Sequence, residues 1–311
     1  MAEKIPVWID TDTGVDDAMA LLIAFQTEQL EITGISAVCG NVEQEKTFRN
    51  ARAVTALAKR SVPVYPGAQS PLRAKLEPAF YVHGEDGLGG ALIADSDQPI
   101  QEEKAFDALY RTAKRYHGEL EVIALGPLTN IALAIAKYHD FGKHVKRILM
   151  MGGAAEGGNR TACAEFNIYT DPEAAEAVFL SGIPIVMAGL DVTMKAYLTD
   201  QELEHMAEKK TAVTDFIERA VQKSMAFMEC KGHADRYIAH DVVPVLYAVY
   251  PQFFQAVHCG VHVEFHSLPA RGKTVTDIWS DKKFTDRHVD VLLNVDRELF
   301  AATVMEKLLR Y

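Results

Sequence analysis

The sequence lacks any apolar run of about 18 residues or more, so it predicts no helix that spans a membrane. Its start, MAEKIPVWID, has no basic segment and no small-residue cleavage site, and we expect no signal peptide. Basic residues are outnumbered, with 32 Lys and Arg against 43 Asp and Glu and a formal net charge of −11. This charge repels nucleic acid backbones and anionic membranes, so neither is an expected partner.

Cysteine is also scarce. The four cysteines lie far apart and form no CxxC pair: Cys39, Cys163, Cys230 and Cys259. This pattern is typical of reduced thiols in the cytoplasm rather than of a zinc site or of disulfides. Repeats, low-complexity tracts and linkers rich in Ser, Gly or Pro are absent, so the sequence predicts one domain over residues 1–311.

Apolar runs alternate with amphipathic segments through the first two thirds of the chain. Predicted strands lie near residues 6–12, 31–40, 120–126, 145–153 and 183–189, and predicted helices near 15–29, 44–60, 101–117, 127–138 and 171–181. The strands are continuously apolar, which indicates burial on both faces. We therefore expect an α/β fold with a single doubly wound, mostly parallel sheet flanked by helices.

After about residue 195 the pattern becomes helical, which predicts a helical segment in the C-terminal third. Three strand-like runs close the chain: CGVHVEFH, KTVTDIWS and HVDVLLNV. Polar clusters follow several earlier strands, as in DTD, CGN and MGG, and open α/β sheets bind their ligands at that edge. The segment YVHGEDGLGG at 81–90 has little periodicity and is a candidate flexible active-site loop.

The stretch VWIDTDTGVDDAMALL places four aspartates where a strand meets a helix: Asp10, Asp12, Asp16 and Asp17. Asp10 and Asp12 share a face of the strand, and Asp16 and Asp17 fall in the first helical turn. A helix N-terminus offsets one carboxylate by about 0.3–1 kcal/mol, which is too little for four. An all-oxygen cluster of this kind favours a hard divalent cation, Ca²⁺ or Mg²⁺.

Two other interpretations of this cluster stay open from the residues alone. In the first, two of the aspartates cap the helix and the others are exposed. In the second, the strand ending in DxD belongs to a Mg²⁺-dependent haloacid-dehalogenase-type phosphatase, with Asp10 as nucleophile and Asp12 as general acid. The doubled Asp16–Asp17 is foreign to that motif, and no downstream lysine and acidic pair convincingly completes it.

The motifs taken together resemble those of the inosine–uridine-type nucleoside hydrolase family. DTDTGVDDA is similar to the family signature DxDPGxDDA, and most of the chain follows the family's order of motifs. These are GN at 40–41, HGEDGLGG from 83, ALGPLTN at 124–130, MGGA with GN over 151–159, AEFNIYTDPEAA at 164–175 and AHDVVPVLY at 239–247. The main departure is Thr13, where the family usually carries a proline that would stiffen the turn.

This resemblance implies Ca²⁺-dependent hydrolysis of the N-glycosidic bond of ribonucleosides, such as inosine, uridine or cytidine, to ribose and free base. It also implies a cytosolic homodimer or homotetramer that serves nucleoside salvage. An alternative from a different class is a nucleoside- or ribose-binding protein that has lost catalysis. The retained Asp12 and His240 argue against it, because binding alone needs no base that activates water.

By the same resemblance, four groups would hold Ca²⁺: the carboxylates of Asp12, Asp17 and Asp241 and the backbone carbonyl of Leu125. Water and the ribose hydroxyls would complete a coordination number of about eight, which Ca²⁺ accepts. Asp12 would also be the catalytic base that takes a proton from the attacking water. Asp10 would stand behind these ligands and orient its neighbours.

The resemblance assigns further residues to the sugar. Asp16, Asn41 and Asn167 would hydrogen-bond in the region of the ribose and the water. Asn159 and Glu165 would bind the 5′-hydroxyl. A pocket dense in carboxylates also suits a transition state with oxocarbenium character, because it stabilises the positive charge that develops on the ring.

Four residues are expected around the base. His240 would be the catalytic acid for the leaving base or a contact to its edge. His83 and Met151, which open two of the matched motifs, are further candidates for substrate contacts. Tyr237 lies three residues before His240, and it would share a side with His240 if this stretch is helical.

Overall fold

The computed structural model describes residues 4–91, 93–232, 234–278, 284–286 and 288–311. Its strands, in chain order, are β1 (Ile5–Thr11), β2 (Leu30–Ala37), β3 (Val64–Pro66), β4 (Leu120–Ala124), β5 (Val145–Met151), β6 (Ile185–Ala188), β7 (Tyr197–Thr199), β8 (Arg236–Ile238), β9 (Phe254–Cys259), β10 (Val261–Glu264), β11 (Lys273–Thr276) and β12 (Val289–Val295). Its α-helices are α1 (Val15–Phe25), α2 (Gln44–Leu57), α3 (Phe80–His83), α4 (Ala105–Arg115), α5 (Thr129–Lys137), α6 (Phe166–Thr170), α7 (Pro172–Phe179), α8 (Leu190–Thr193), α9 (Asp200–Ala207), α10 (Ala212–Cys230), α11 (Val242–Tyr247) and α12 (Arg297–Leu308).

Eight of these strands form one sheet, in the order β3-β2-β1-β4-β5-β6-β12-β9. Neighbouring strands are parallel throughout except for β9, which runs antiparallel to β12 at one edge. Two small antiparallel pairs, β10 with β11 and β7 with β8, lie outside this sheet. The predicted mostly parallel α/β sheet is therefore confirmed. That residues 1–311 form one domain stays a prediction.

Apolar side chains cover both faces of the sheet. Ile9 and Ile123 belong to one buried cluster, together with residues of α1, α2, α10, α11 and α12. Trp8 and Val122 belong to another, together with residues of α4, α5 and α7. Because successive residues of a strand point to opposite faces, this division shows that the sheet is doubly wound.

Several local predictions need correction. The run CGVHVEFH does not form one strand but begins at the last residue of β9 and continues through β10. In KTVTDIWS, β11 ends at Thr276, and Trp279 and Ser280 lie outside the described residues. The helical placement of Tyr237 is wrong, because Tyr237 pairs with Leu198 between β8 and β7. Cys39, Cys163 and Cys230 are free thiols.

The carboxyl ends of β1, β2, β4 and β5 meet at one edge of the sheet. The chain order reverses between β1 and β4, and Asp10 pairs there with Ser36 of β2 and Ala124 of β4. In open α/β sheets this is the place where ligands bind. No helix among the described residues is long and apolar enough to cross a membrane.

Candidate functional site

The aspartate-rich stretch forms the turn from β1 into α1, as predicted. Gly14 is the residue before α1, and Asp16 and Asp17 lie in the first helical turn. A Cβ atom on Gly14 would lie 2.5 Å from Nδ1 of His83 and 2.6 Å from Nδ2 of Asn41. Glycine is therefore needed here for close approach, because its φ of −94° is accessible to any residue.

Asp12 is buried between two loops that follow neighbouring strands. Its Oδ2 accepts the backbone N–H of Asn41 at 2.7 Å, and its Oδ1 has no hydrogen-bond partner among the described residues. A Cβ on Gly40 would collide with this carboxylate, and one on Gly126 would lie 2.7 Å from Oδ1. The glycines in CGN and ALGPLTN thus make room for Asp12.

Asp17 and Asp10 are fully buried and held by donors. Oδ1 of Asp17 accepts from the hydroxyl of Thr11, and Oδ2 accepts from the backbone N–H of Gly14 at 2.9 Å. Oδ1 of Asp10 accepts from the Ser36 hydroxyl and from Nδ2 of Asn130. Burial raises the pKa of Asp10 to about 7. Asp10 is thus held by side chains of β2 and α5.

Asp241 lies next to residues of the first motif, although it comes from the C-terminal third of the chain. One carboxylate oxygen from each of Asp16, Asp17 and Asp241 lies within 4.8 Å of the others. Burial and the charges of Asp16, Asp17 and Asp12 raise the pKa of Asp241 well above its ordinary value. Burial and the charge of Asp17 also raise the pKa of Asp12 well above its ordinary value. Burial raises the pKa of Asp16 to about 6.

These groups fit a hard divalent cation. Oδ1 of Asp12 and Oδ1 of Asp16 are buried and have no hydrogen-bond partner among the described residues. Several neighbouring carboxylates buried without a cation repel one another, and this repulsion disfavours their ionised forms. Carboxylate and carbonyl oxygens are the ligands that Ca²⁺ and Mg²⁺ prefer. The carbonyl of Leu125 faces the same region and accepts from Nδ2 of Asn167 at 2.8 Å.

A cavity of about 550 Å³ opens above this cluster. Most of the predicted site residues line it: Asp12, Asp16, Asn41, His83, Leu125, Met151, Asn159, Glu165, Asn167, His240 and Asp241. Asp10, Asp17 and Tyr237 are buried and are not among the lining residues. Residues from seven separate motifs therefore converge on one cavity, although their individual roles stay predictions.

One end of the cavity is formed by Asn159, Glu165 and Asn167. Glu165 precedes α6, and its carboxylate accepts the backbone N–H groups of Asn167, Ile168 and Gly153. Burial raises the pKa of Glu165 to about 7. Nδ2 of Asn167 donates to the carbonyls of Leu125 and Met151, which leaves its side-chain oxygen free to accept.

The two histidines of the cavity are neutral at physiological pH. Burial lowers the pKa of His83 to about 4, and its Nδ1 accepts the backbone N–H of Val15 at 3.2 Å. Burial also lowers the pKa of His240 to about 4. Nδ1 of His240 lies 2.8 Å from the hydroxyl of Thr193. The Thr193 hydroxyl therefore orients the ring through Nδ1.

Tyr237 occupies a different place from the one expected. Its side chain is 1% exposed, and its hydroxyl has no hydrogen-bond partner among the described residues. Burial and the charges of Asp16, Asp241 and Asp17 raise its pKa well above the ordinary value. Tyr237 thus lies behind the acidic cluster rather than on the cavity surface.

The predicted site residues include none from α10, although the C-terminal part of this helix forms one side of the cavity. Ser224, Phe227, Met228 and Lys231 line it. The ring of Phe227 contacts that of Tyr81 with centroids 5.2 Å apart. The spacing of three, four and seven residues from Ser224 is that of one helix face, so the signal was present in the sequence.

The chain is similar to known proteins over nearly its whole length. The family model of the inosine-uridine preferring nucleoside hydrolases matches residues 7–302. A pyrimidine-specific ribonucleoside hydrolase RihA from Photobacterium profundum is 35% identical over 98% of this chain and 99% of its own length. A plant nucleoside hydrolase, PpNRh1, superposes with a TM-score of 0.92 at 31% identity, covering 98% of this chain and 99% of its own. A purine-preferring ribonucleoside hydrolase from Gardnerella vaginalis gives a TM-score of 0.92 at 31% identity, covering 98% of each chain.

Proposed function

The chain belongs to the inosine-uridine preferring nucleoside hydrolase family, and we propose that it hydrolyses the N-glycosidic bond of ribonucleosides in a Ca²⁺-dependent reaction. It is an N-glycosyl hydrolase, as its relatives are. The observation that carries the Ca²⁺ proposal is the cluster of Asp16, Asp17 and Asp241, which lies at the cavity that Asp12, Asp16 and Asp241 line. The phosphatase alternative has no support from the family match.

The residues that would hold Ca²⁺ are Asp12, Asp17, Asp241 and the carbonyl of Leu125. All four offer oxygen, and the buried oxygen of Asp12 without a partner points to a missing positive charge. Asp16 lies in the same cluster and would share its carboxylate between this region and the ribose. A bound Ca²⁺ would supply a Lewis acid that makes a water molecule more acidic.

Asp12 would act as the base. Its Oδ2 is fixed by the N–H of Asn41, so the free Oδ1 has a defined position from which it can accept a proton from water. Its rigid setting between Gly40 and Gly126 also removes the entropic cost of orienting it.

The sugar would be held at the end of the cavity that Asn159, Glu165 and Asn167 form. Asn159 and Glu165 would bind the 5′-hydroxyl, and the free oxygen of Asn167 would accept from a ribose hydroxyl. The carboxylates of Asp16 and Glu165 would stabilise the positive charge that develops on the ring as the bond to the base breaks.

The leaving base would lie between His240, His83 and the aromatic pair Tyr81–Phe227. When the Thr193 hydroxyl donates to Nδ1, the hydrogen of the neutral His240 ring stands on Nε2. From there the ring can donate a hydrogen bond to a base that departs with negative charge, and this bond would stabilise the anion while the ring keeps its proton. We propose uridine and cytidine as the preferred substrates, because the pyrimidine-specific relative shares more identical residues with this chain than the purine-preferring structure does.

A panel of natural ribonucleosides tests this function. Each nucleoside is assayed for kcat/KM by release of ribose, first after removal of metal with a chelator and then after addition of Ca²⁺ or Mg²⁺. We expect turnover that Ca²⁺ restores and that is highest with uridine and cytidine. Ribose binding without turnover at high protein concentration would favour the binding-protein alternative instead.

Assembly and location are further proposals from the family resemblance. We propose a homodimer or homotetramer in the cytosol. Light scattering on the purified protein and fractionation of the source cells test the two statements separately.

A further inference from the structure

Two buried threonines lead from the turn after β1 to the carboxylate of Asp17. The hydroxyl oxygens of Thr13 and Thr11 lie 3.1 Å apart. The hydroxyl of Thr11 donates to Oδ1 of Asp17 at 2.5 Å. Neither threonine has any exposed surface.

The direction of these hydrogen bonds follows from counting hydrogens. A threonine hydroxyl has one hydrogen, and that of Thr11 is used in the bond to Asp17. In the contact between the two hydroxyls, Thr13 must therefore be the donor and Thr11 the acceptor. The result is a directed chain from Thr13 to Thr11 to Asp17, in which each bond polarises the next.

The local backbone separates these hydroxyls from the other carboxylates. Asp12 bonds to Asn41, and Asp10 bonds to Ser36 on β2. Thr11 and Thr13, at the alternate positions, bond to each other instead. Alternation of this kind is what an extended segment produces. The carbonyl of Thr13 is also fixed, because it accepts from Nδ2 of Asn50 at 3.2 Å.

Asp17 depends on this chain for one of its two oxygens. Its Oδ2 accepts from the N–H of Gly14 and from Nδ2 of Asn41. Its Oδ1 accepts from Thr11, which is the one donor to that atom among the described residues. Thr11 therefore holds the Oδ1 side of the Asp17 carboxylate, and Thr13 orients the hydroxyl of Thr11.

We propose that Thr13 is a positioning residue whose hydroxyl, acting through Thr11, orients Asp17 and strengthens the binding of Ca²⁺. The proposal rests on the proposed function in so far as it takes Asp17 as a metal ligand. It also explains how this turn is held where the family signature usually has proline. Proline has no hydroxyl and restricts φ, whereas Thr13 fixes the turn by hydrogen bonds at its side chain and its carbonyl.

The direct test is calorimetric titration of Ca²⁺ into metal-free protein. Thr13→Val keeps the branched shape and removes the hydroxyl, and it should weaken Ca²⁺ binding by about tenfold, as loss of a group that orients a metal ligand does. Thr13→Ser keeps the hydroxyl and should retain the wild-type affinity.

A control and a double-mutant cycle separate positioning from general packing. Thr27 is also buried, and its hydroxyl donates to the carbonyl of Ile23 at 2.8 Å, with no bond to an acidic residue. Thr27→Val should therefore leave Ca²⁺ affinity unchanged. Thr11→Val should weaken Ca²⁺ binding, and adding Thr13→Val to it should cause no further loss, because Thr13 acts through Thr11.

Two results would overturn the proposal: wild-type Ca²⁺ affinity in Thr13→Val, or an undiminished loss when Thr13→Val is added to Thr11→Val. If Thr13→Val does not fold in chelator, the pair Thr13→Ala and Thr13→Ser gives the same comparison, and equal affinities would refute the role of the hydroxyl. Wild-type protein that binds no Ca²⁺ would refute the metal site and this proposal together. Wild-type protein that binds Ca²⁺ but releases no base from nucleosides would refute the proposed activity alone.

Discussion

Asp12 and Asn41 are joined by a hydrogen bond of 2.7 Å from the Asn41 backbone N–H to Oδ2 of Asp12. This bond occupies one carboxylate oxygen and leaves the other without a partner at the cavity. Asp12→Asn can keep the bond, because the amide oxygen also accepts, but it removes the base. We expect kcat for uridine to fall by at least about a hundredfold, the lower limit for loss of a positioned base.

Asp95→Asn is a suitable control for this variant, because its side chain is 71% exposed and lies at the surface beside Arg49. It should retain full activity. Both variants should give the circular dichroism spectrum of the wild type. Turnover of Asp12→Asn close to that of the wild type would contradict the assignment of the base.

His240→Ala tests whether a hydrogen bond from this ring stabilises the leaving base. The neutral ring, fixed by Thr193, can donate from Nε2 to a pyrimidine anion, which is a poor leaving group. The variant should lose kcat on uridine and keep most of its kcat on a nitrophenyl riboside, whose leaving group departs without a proton. Equal losses on the two substrates would mean that His240 binds or packs rather than donates.

The sequence was most informative where chemistry forces particular residue types together. Four aspartates at a strand–helix junction cannot be buried without compensation, so their grouping predicted a site before any coordinates. The alternation of apolar runs and amphipathic helices predicted the parallel sheet. Asp241 directly precedes α11, and the packing of α11 against α1 brings it to Asp16 and Asp17. Both predictions rest on the combined signal of several residues rather than on any single one.

Single short elements were less predictable. Tyr237 lies in a strand of three residues that is formed by pairing with β7, and no local pattern specifies such long-range pairing. Its unpartnered hydroxyl behind the acidic cluster could not be foreseen for the same reason. The contact of Thr13 with Thr11 also depends on how the chain leaves β1, which residue identity alone does not determine.

The small β10–β11 pair holds a loop of the cavity, which Lys273 and Thr274 contact. The Thr274 hydroxyl donates to the carbonyl of Ala154 at 2.7 Å and accepts the N–H of Ala154 at 2.9 Å. This loop continues to Asn159, where the 5′-hydroxyl is proposed to bind. Thr274→Val should raise KM for uridine by about fivefold, corresponding to the about 1 kcal/mol that a hydrogen bond contributes.

The same variant should treat 5′-deoxyuridine as the wild type does, because that substrate lacks the hydroxyl in question. Val275→Thr is the matched control, since Val275 is 41% exposed and neighbours Thr274 on the same strand. Val275→Thr should leave the KM for uridine and the KM for 5′-deoxyuridine unchanged. A parallel rise of KM for uridine and 5′-deoxyuridine in Thr274→Val would contradict a specific effect on the 5′ end.

The free energy of unfolding should depend on pH through His262, which lies outside the acidic cluster. Its Nδ1 is 3.0 Å from Glu176, and its Nε2 is 3.3 Å from Asp286. Burial alone would lower the pKa of His262, but the hydrogen bond to Glu176 and the charges of both carboxylates raise it above 6.5. The folded protein therefore binds this proton more tightly than the unfolded chain does, and the added stability is complete below pH 6.5.

As pH rises through the folded-state pKa, this added stability is lost. Urea denaturation of the wild type and of His262→Gln should therefore show the wild type as the more stable protein at pH 6, with a difference that shrinks by pH 9. Asp286→Asn should reduce the difference at pH 6, because one of the two charges that favour the protonated ring is gone. A difference that is independent of pH, or that grows above pH 8, would show that the two carboxylates do not act on His262 in this way.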